Sequence, residues 1–333
     1  MSELLAVNNL QVHAPGPEGL RAIVRGASFA VDAGESLGIV GESGSGKSMT
    51  VRAIMRLLPR AFEVGGDVTF DGRSVLGMSR RELQSFRASE VAMIFQDPRA
   101  HTNPVRTIGD FLTEGLRNRG ASRGDAESKG LALLEELGVA RARERLAQYP
   151  HEVSGGQLQR VMIAAALAAE PRLLIADEPT TALDVTTQAD VVAALTELRR
   201  ERNLALIFIT HDLELAAATC DRIAVMYAGG IVESAPARVL EGRPAHPYTR
   251  ALLSSRPQVD RRLPRLEAIP GRPVSAHEAP AGCPFNPRCP YVRDVCRTDT
   301  PLLRLVPGGQ GVAACHRLED VLADDAVRPR VIA

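Results

Sequence analysis

Gly41-Glu42-Ser43-Gly44-Ser45-Gly46-Lys47-Ser48 decides the fold. The stretch fits G-x-x-x-x-G-K-[ST], the pattern of a loop that cradles nucleotide phosphates. Its flanks agree: residues 36–40 read as a buried strand, and residues 49–58 as a helix stopped by Pro59. The glycines open backbone conformations closed to other residues, so successive N–H groups can turn toward one anion. The helix N-terminus, opening at Met49, adds its partial positive charge. In this pattern Lys47 reaches the outer phosphates and the Ser48 hydroxyl ligates Mg²⁺. The bland reading of the same residues is a Gly/Ser-rich turn between strand and helix.

Composition narrows the classes. A chain of 333 residues holds a full core and room for two units. Lys+Arg and Asp+Glu both number 40, which argues against a broad nucleic-acid footprint. Tryptophan is absent, which disfavours an aromatic-lined nucleic-acid groove. The longest apolar run, residues 161–169, is far too short to cross a bilayer. Met1-Ser2-Glu3-Leu4 lacks the basic start of a signal peptide. The expectation is a cytosolic protein or a soluble subunit of something larger.

Along the chain, residues 4–12 and 23–31 read as strands, with the turn-rich residues 14–19 between them. Residues 65–72 read as a turn, a short strand and a turn, and residues 91–95 as a strand ending at Gln96-Asp97-Pro98. From 108 to about 169 the pattern is helical, with Leu131, Leu134 and Leu137 in an amphipathic stripe. Residues 172–176 form an apolar strand running into Asp177-Glu178-Pro179. Residues 188–202 form an amphipathic helix, and residues 204–210 a buried strand ending at His211-Asp212. Apolar strands alternating with helices imply an α/β fold with a largely parallel sheet covered on both faces. The helical stretch between Gln96 and Pro171 is too long for one crossover and reads as an inserted subdomain. Ten of the 22 prolines fall between Pro257 and Pro307, leaving little room there for regular structure.

Hydrolysing a nucleotide takes a Mg²⁺ anchor, a group that orients or deprotonates water, and donors for developing charge. Asp177-Glu178 ends an apolar strand, where a parallel sheet presents its ligand-binding edge. Asp177 is the candidate Mg²⁺ anchor and Glu178 the candidate general base; the alternative is a solvated acidic turn. Ser154-Gly155-Gly156-Gln157 is a capping box opening a helix. Its two glycines also leave that helix N-terminus open to an anion.

In order and spacing the set resembles the ATP-binding subunit of an ABC transporter over residues 4–240. It comprises the P-loop Gly41 to Ser48, the Q-loop Gln96 and the signature Ser154-Gly155-Gly156-Gln157. The Walker B pair Asp177-Glu178, the D-loop Thr181-Ala182-Leu183-Asp184 and the switch His211 follow. The resemblance implies an ATPase domain at 1–240: a RecA-like parallel sheet core, an antiparallel β subdomain, and an inserted helical subdomain at about 98–170. It implies two cassettes facing head to tail, ATP on Lys47 and Ser48 of one being closed over by Ser154 and Gly156 of the other. Glu178 would activate water, His211 contact the γ-phosphate, and Asp184 lie at the dimer seam. Gln96 would join Ser48 and Asp177 around Mg²⁺ and link that site to the surface where a membrane subunit docks. Two departures stand out. Family members usually carry an early adenine-stacking aromatic, yet no Phe, Tyr or Trp precedes Phe29, so either His13 substitutes or the stacking is weaker. Val153 precedes the signature where leucine is usual.

The tail, residues 241–333, sharpens the resemblance to di- and oligopeptide importers. Its marks are His246-Pro247-Tyr248-Thr249-Arg250-Ala251-Leu252-Leu253, Ile269-Pro270-Gly271-Arg272-Pro273 and Cys283-Pro284-Phe285-Asn286-Pro287-Arg288-Cys289-Pro290-Tyr291. That group includes importers of nickel, glutathione or sugars. The resemblance implies a peripheral protein on the cytoplasmic face of the inner membrane. Its partners would be a second, often different, cassette, two membrane permeases and an extracytoplasmic substrate-binding protein. A soluble ABC ATPase of repair or translation, or an ATP-binding sensor, are the competing classes. Neither tandem cassettes nor basic arms support the first, and intact Glu178 and His211 oppose the second.

Cys220 reads as a core residue. Cys283, Cys289, Cys296 and Cys315 are spaced by five, six and eighteen residues, and a cytosolic setting disfavours disulfides. Four cysteines suit Zn²⁺ or an iron–sulfur cluster. No pair has the two-to-four spacing of zinc sites, and two Cys-Pro steps resemble ferredoxin-type ligation. Some members of the resembling group carry a [4Fe–4S] cluster here. Four reduced thiols, or His316 as an alternate ligand, are the other readings.

Overall fold

The computed structural model describes residues 3–181, 183–255 and 269–324. The chain opens with strands β1 (Glu3–Gly16), β2 (Gly19–Asp32) and β3 (Ser36–Val40), then α1 (Lys47–Ile54). Strands β4 (Glu63–Phe70) and β5 (Arg73–Ser74) precede α2 (Arg80–Ser89) and β6 (Val91–Ile94). Helices α3 (Ile108–Asn118), α4 (Arg123–Glu136), α5 (Ala142–Arg145) and α6 (Gly155–Ala168) follow. Next come β7 (Leu173–Asp177), α7 (Val185–Glu201), β8 (Ala205–Thr210), α8 (Leu213–Thr219), β9 (Arg222–Tyr227) and β10 (Gly230–Pro236). The tail contributes α9 (Ala237–Gly242), α10 (Pro247–Ser254), α11 (Asp294–Thr298), β11 (Arg304–Leu305), β12 (Val312–Ala313) and α12 (Leu318–Ala323).

Two compact units share these elements. One comprises Met1–Glu3, Val31–Glu35 and Gly77–Ile209. In it β6, β7 and β8 pair in parallel, and every residue of β7 and β8 is buried. Such strands read as continuous apolar runs because neither face meets water. Helices α3, α4 and α6 pack on one another. Each starts on a side chain that accepts an orphan N–H: Thr107, Ser122 and Ser154.

The other unit comprises Leu4–Ala30, Ser36–Leu76 and Thr210–Ala333. Its four-stranded sheet has the order β2-β1-β4-β5. Separately, β3 pairs in parallel with β9, β10 turns back antiparallel on β9, and β12 and β11 extend that edge antiparallel. Among the described residues no helix is long and apolar enough to cross a membrane.

Element boundaries differ from expectation where local geometry intervenes. Helix α1 ends at Ile54, four residues before the expected Leu58. Arg56 turns left-handed (φ 51°), Leu57 N–H bonds to Arg52 O and Arg56 N–H to Ala53 O, a Schellman stop that owes nothing to Pro59. Helix α7 starts at Val185, three residues early, because the Asp184 carboxylate accepts the Thr187 N–H at 3.0 Å. Gly65-Gly66, expected in a turn, lies inside β4, whose partner β1 absorbs a register shift between Asn8 and Gln11. Strand β1 likewise runs on to Gly16, so the hairpin turn is only Pro17 and Glu18.

The tail begins on a buried carboxylate. Glu233 in β10 accepts the Ala245 and His246 N–H groups at 2.7 and 2.9 Å, and His246 Nδ1 accepts the Tyr248 N–H at the head of α10. Burial pushes the Glu233 carboxyl up to about 7, against its two backbone donors and the Arg250 cation. Burial drives the His246 imidazole down to about 3.

A methyl on Gly41 would stand 2.2 Å from the Met226 carbonyl oxygen, which moves only with β9. Gly41→Ala therefore lowers stability by about 1–3 kcal/mol or more, read by thermal or urea denaturation. Glu233 and His246 are linked to folding with opposite signs. The contribution of Glu233 is full below its ordinary 4.5 and is lost as pH rises through about 7. That of His246 grows as pH rises from about 3 toward its ordinary 6.5. Between about 4.5 and 6.5 the slopes oppose each other. Glu233→Gln leaves the His246 slope alone, so the variant's stability rises with pH across that window relative to wild type; parallel profiles contradict the assignment.

Candidate functional site

The P-loop forms as its glycines require. Gly46 is left-handed (φ 104°) at the head of α1 and passes close to the Ile23 carbonyl. Lys47 is buried, its ammonium donating to Gly41 O (2.8 Å) and Glu42 O (3.1 Å). Ser45 N–H returns to Glu42 O, and Ser45 O accepts the Gly229 N–H at 2.9 Å. Ser43 and Gly44 are exposed at the loop's tip, while Ser48 and Met49 are half-buried in the first turn of α1. A loop that sets a lysine at a helix N-terminus can take an anion.

In the other unit, Gln96, Asp177 and Glu178 come from the ends of neighbouring strands. Gln96 lies two residues beyond β6, and Asp177 ends β7, fully buried. Glu178 adopts a left-handed backbone (φ 47°), uncommon for a residue with a side chain. Its N–H bonds to Ile209 O, and its Oε2 accepts from Gln96 Nε2 at 2.9 Å and Thr181 Oγ1 at 2.8 Å. A half-buried carboxylate fixed by an amide and a hydroxyl is aimed before any substrate arrives. The Gln96–Glu178 contact joins two residues that the sequence motifs named separately.

The signature residues form the expected capping box. Ser154 Oγ accepts the Gln157 N–H, and Gln157 Oε1 accepts the Ser154 N–H. Ser154 is exposed, Gly155 and Gly156 half-exposed, and Val153 buried where an apolar side chain fits. In the D-loop, Ala182 lies outside the described residues, and Asp184 caps α7. His211 is exposed just after β8, beside Asp212, which caps α8. His13 sits half-buried in β1, opposite Glu63 of β4.

Two tail residues that the sequence motifs did not assign a role touch the P-loop. Tyr248 Oη accepts the Glu42 N–H at 2.9 Å, and Arg288 binds the Glu42 carboxylate through two nitrogens. Both residues lie in tail stretches that mark the peptide-importer resemblance, so the signal was present without its meaning. Around them Tyr227, Tyr248 and Phe285 pack in one aromatic cluster of tilted and edge-on rings, ring centroids 4.6–5.4 Å apart.

The tail cysteines Cys283, Cys289, Cys296 and Cys315 are all free thiols, as is Cys220, which is buried at the end of α8 as expected. The charge of Cys283, Cys296 and Cys315 each bears on Cys289, so the four are neighbours. Among the described residues, however, no three His, Cys, Asp or Glu side chains are arranged to hold a metal ion. Burial pushes the Cys283 thiol up to about 11 and the Cys289 thiol up to about 12. His316 Nε2 lies 2.9 Å from the Asp299 carbonyl oxygen.

Residues 24–181 match the ABC transporter family, and residues 232–296 match the oligopeptide/dipeptide transporter C-terminal region. The chain is 47% identical over 321 residues to the oligopeptide transport ATP-binding protein OppD of Salmonella typhimurium, covering 96% of this chain and 95% of that protein. It is 43% identical over 330 residues to the dipeptide transport ATP-binding protein DppD of Escherichia coli, covering 98% of this chain and 99% of that one. Its fold is similar to the dimeric ATP-binding cassette MJ0796 in a post-hydrolysis state bound to ADP and Pi. That match has 27% identity and a TM-score of 0.64, and covers 70% of this chain and 99% of the other. Likeness that runs through the P-loop, both acidic residues and the tail is likeness of the whole machine. The chain therefore belongs to the ABC transporter ATP-binding proteins, ATP hydrolases by family, and within them to the oligopeptide/dipeptide branch.

Proposed function

We propose that this chain is the ATP-hydrolysing motor subunit of an importer of oligopeptides or dipeptides. The observation that carries the reading is its likeness, over nearly its whole length, to ATP-binding proteins named for peptide transport. The division of labour is an ATPase domain at 1–240 and a peptide-importer-type extension at 241–333. The partners are a second cassette of different sequence, two membrane permeases and an extracytoplasmic substrate-binding protein, with this subunit on the cytoplasmic face of the inner membrane.

Each candidate residue has a physical task in that cycle. The backbone N–H groups from Gly44 to Met49 and the Lys47 ammonium hold the phosphates. Ser48, Gln96 and Asp177 would hold Mg²⁺, and their donor set of hydroxyl, amide and carboxylate oxygens suits a hard cation. The bound ion supplies charge neutralisation at the phosphates. The Glu178 carboxylate, held by Gln96 and Thr181, takes a proton from the attacking water. His211 donates to the γ-phosphate oxygens. Ser154, Gly155, Gly156 and Gln157 present a capped helix N-terminus to the ATP of the facing cassette. His13 takes the adenine face.

Glu178→Gln keeps the side-chain volume and removes the base. Its kcat for ATP falls by about 10²–10⁴-fold with ATP binding retained; near-normal turnover contradicts the role. In the reconstituted transporter, ATP hydrolysis rises with peptide-loaded binding protein. Stimulation by nickel, glutathione or an oligosaccharide instead would reassign the cargo.

The tail thiols are proposed as the site of a [4Fe–4S] cluster, with Zn²⁺ the alternative. The mutual neighbourhood of the four cysteines supports this, their arrangement in the structure does not, and no step of the motor runs through it. Iron, acid-labile sulfide and zinc measured on anaerobically purified protein decide the matter. About four iron and four sulfide per chain support a cluster, stoichiometric zinc the alternative, and neither metal leaves four thiols.

A further inference from the structure

Glu42, the second residue of the P-loop, is held at three points. Its N–H donates to Tyr248 Oη at 2.9 Å. Its carbonyl accepts the Lys47 ammonium at 3.1 Å. Its carboxylate accepts two bonds from the Arg288 guanidinium, at 2.7 and 3.1 Å. Tyr248 is fully buried and the Arg288 side chain is only 3% exposed. Arg288 is itself fixed by its Nε–H bond to Pro270 O at 2.7 Å and lies over the rings of Tyr227 and Phe285. Bidentate, charge-assisted pairing gives geometry as well as energy.

The sign of the charge gives the pair its consequence. Glu42 places a carboxylate in a loop that must take a triphosphate, and Arg288 neutralises it. Removing one partner of a buried pair leaves the other charge uncompensated. Here the leftover charge is negative and repels phosphate.

We propose that Arg288 and Tyr248 are positioning residues for nucleotide binding. Arg288 neutralises Glu42 and, with Tyr248, fixes the Glu42 peptide from which Lys47 is hung, so the C-terminal segment sets the loop's affinity for ATP. The proposal rests on Gly41 to Ser48 being the ATP site, and deepens that reading by adding two residues from more than 200 positions away.

The test is equilibrium binding of a fluorescent ATP analogue, MANT-ATP, to the purified full-length chain. Arg288→Ala raises Kd about tenfold, roughly 1.4 kcal/mol. The loss shrinks at high salt, as repulsion between charges does. Adding Glu42→Gln to Arg288→Ala removes the leftover charge and recovers most of the affinity. Tyr248→Phe, which keeps the ring and drops the acceptor, raises Kd about two- to threefold. A folded Arg288→Ala with wild-type Kd overturns the proposal, and so does a double variant as weak as the single one, since a purely structural arginine would not be rescued by neutralising Glu42. If Arg288→Ala does not fold, Arg288→Lys and Arg288→Gln replace it. Near-wild-type Kd for lysine with a tenfold loss for glutamine supports the proposal, and equal values overturn it. Lys47→Ala separates the two readings: unchanged MANT-ATP binding in that variant removes the P-loop assignment itself, whatever Arg288 does.

Discussion

The P-loop depends on a close approach between backbones. Strand β3 is buried along its length, and the chain must leave it at once to turn its N–H groups outward. At Gly41 the Met226 carbonyl of the neighbouring strand occupies the place a side chain would take. The turn between β9 and β10 then braces the loop from both sides, Gly229 N–H bonding to Ser45 O and Gly229 O accepting the Arg25 N–H of β2. The phosphate cradle is thus a loop squeezed between three strands. Its shape is set by what surrounds it as much as by its own glycines.

Much of this was legible in the sequence because the relevant signals are local. The apolar runs of β3, β7 and β8 read as strands buried on both faces, and they are. The capping box at Ser154 and the acidic pair at the end of β7 fell where their residue types pointed. Misplaced boundaries came from caps and bulges, where a single side chain or a left-handed residue overrides periodicity. Asp184 started α7 a turn early, Arg56 stopped α1 a turn early, and the irregularity in β1 let Gly65-Gly66 stay in a strand.

What sequence could not show is contact between distant segments. Glu42 and Arg288 lie 246 residues apart, and no period or composition links them. Their pairing exists because α10 is anchored by Glu233 and His246, which brings Tyr248 to Tyr227 and Phe285 and seats Arg288 over the same rings. The cysteines show the opposite limit. Their number and spacing suggest a shared ligand, but how deeply each thiol is buried is set by the packing around it, which spacing does not reveal.

Glu178 meets at the end of β7 the problem that Gly41 meets at the end of β3. Each follows a wholly buried strand and must turn the chain sharply. Gly41 solves it by having no side chain. Glu178 instead holds a left-handed conformation that costs a residue with a Cβ about 1–3 kcal/mol. Glycine at 178 would relieve that strain but would leave Gln96 and Thr181 with no carboxylate to hold. Such strain persists only where neighbours over-determine it. Here the Ile209 carbonyl holds the Glu178 N–H while two side chains hold its carboxylate. A strained acid stands where a turn glycine would fit more easily, and its carboxylate geometry is fixed by Gln96 and Thr181.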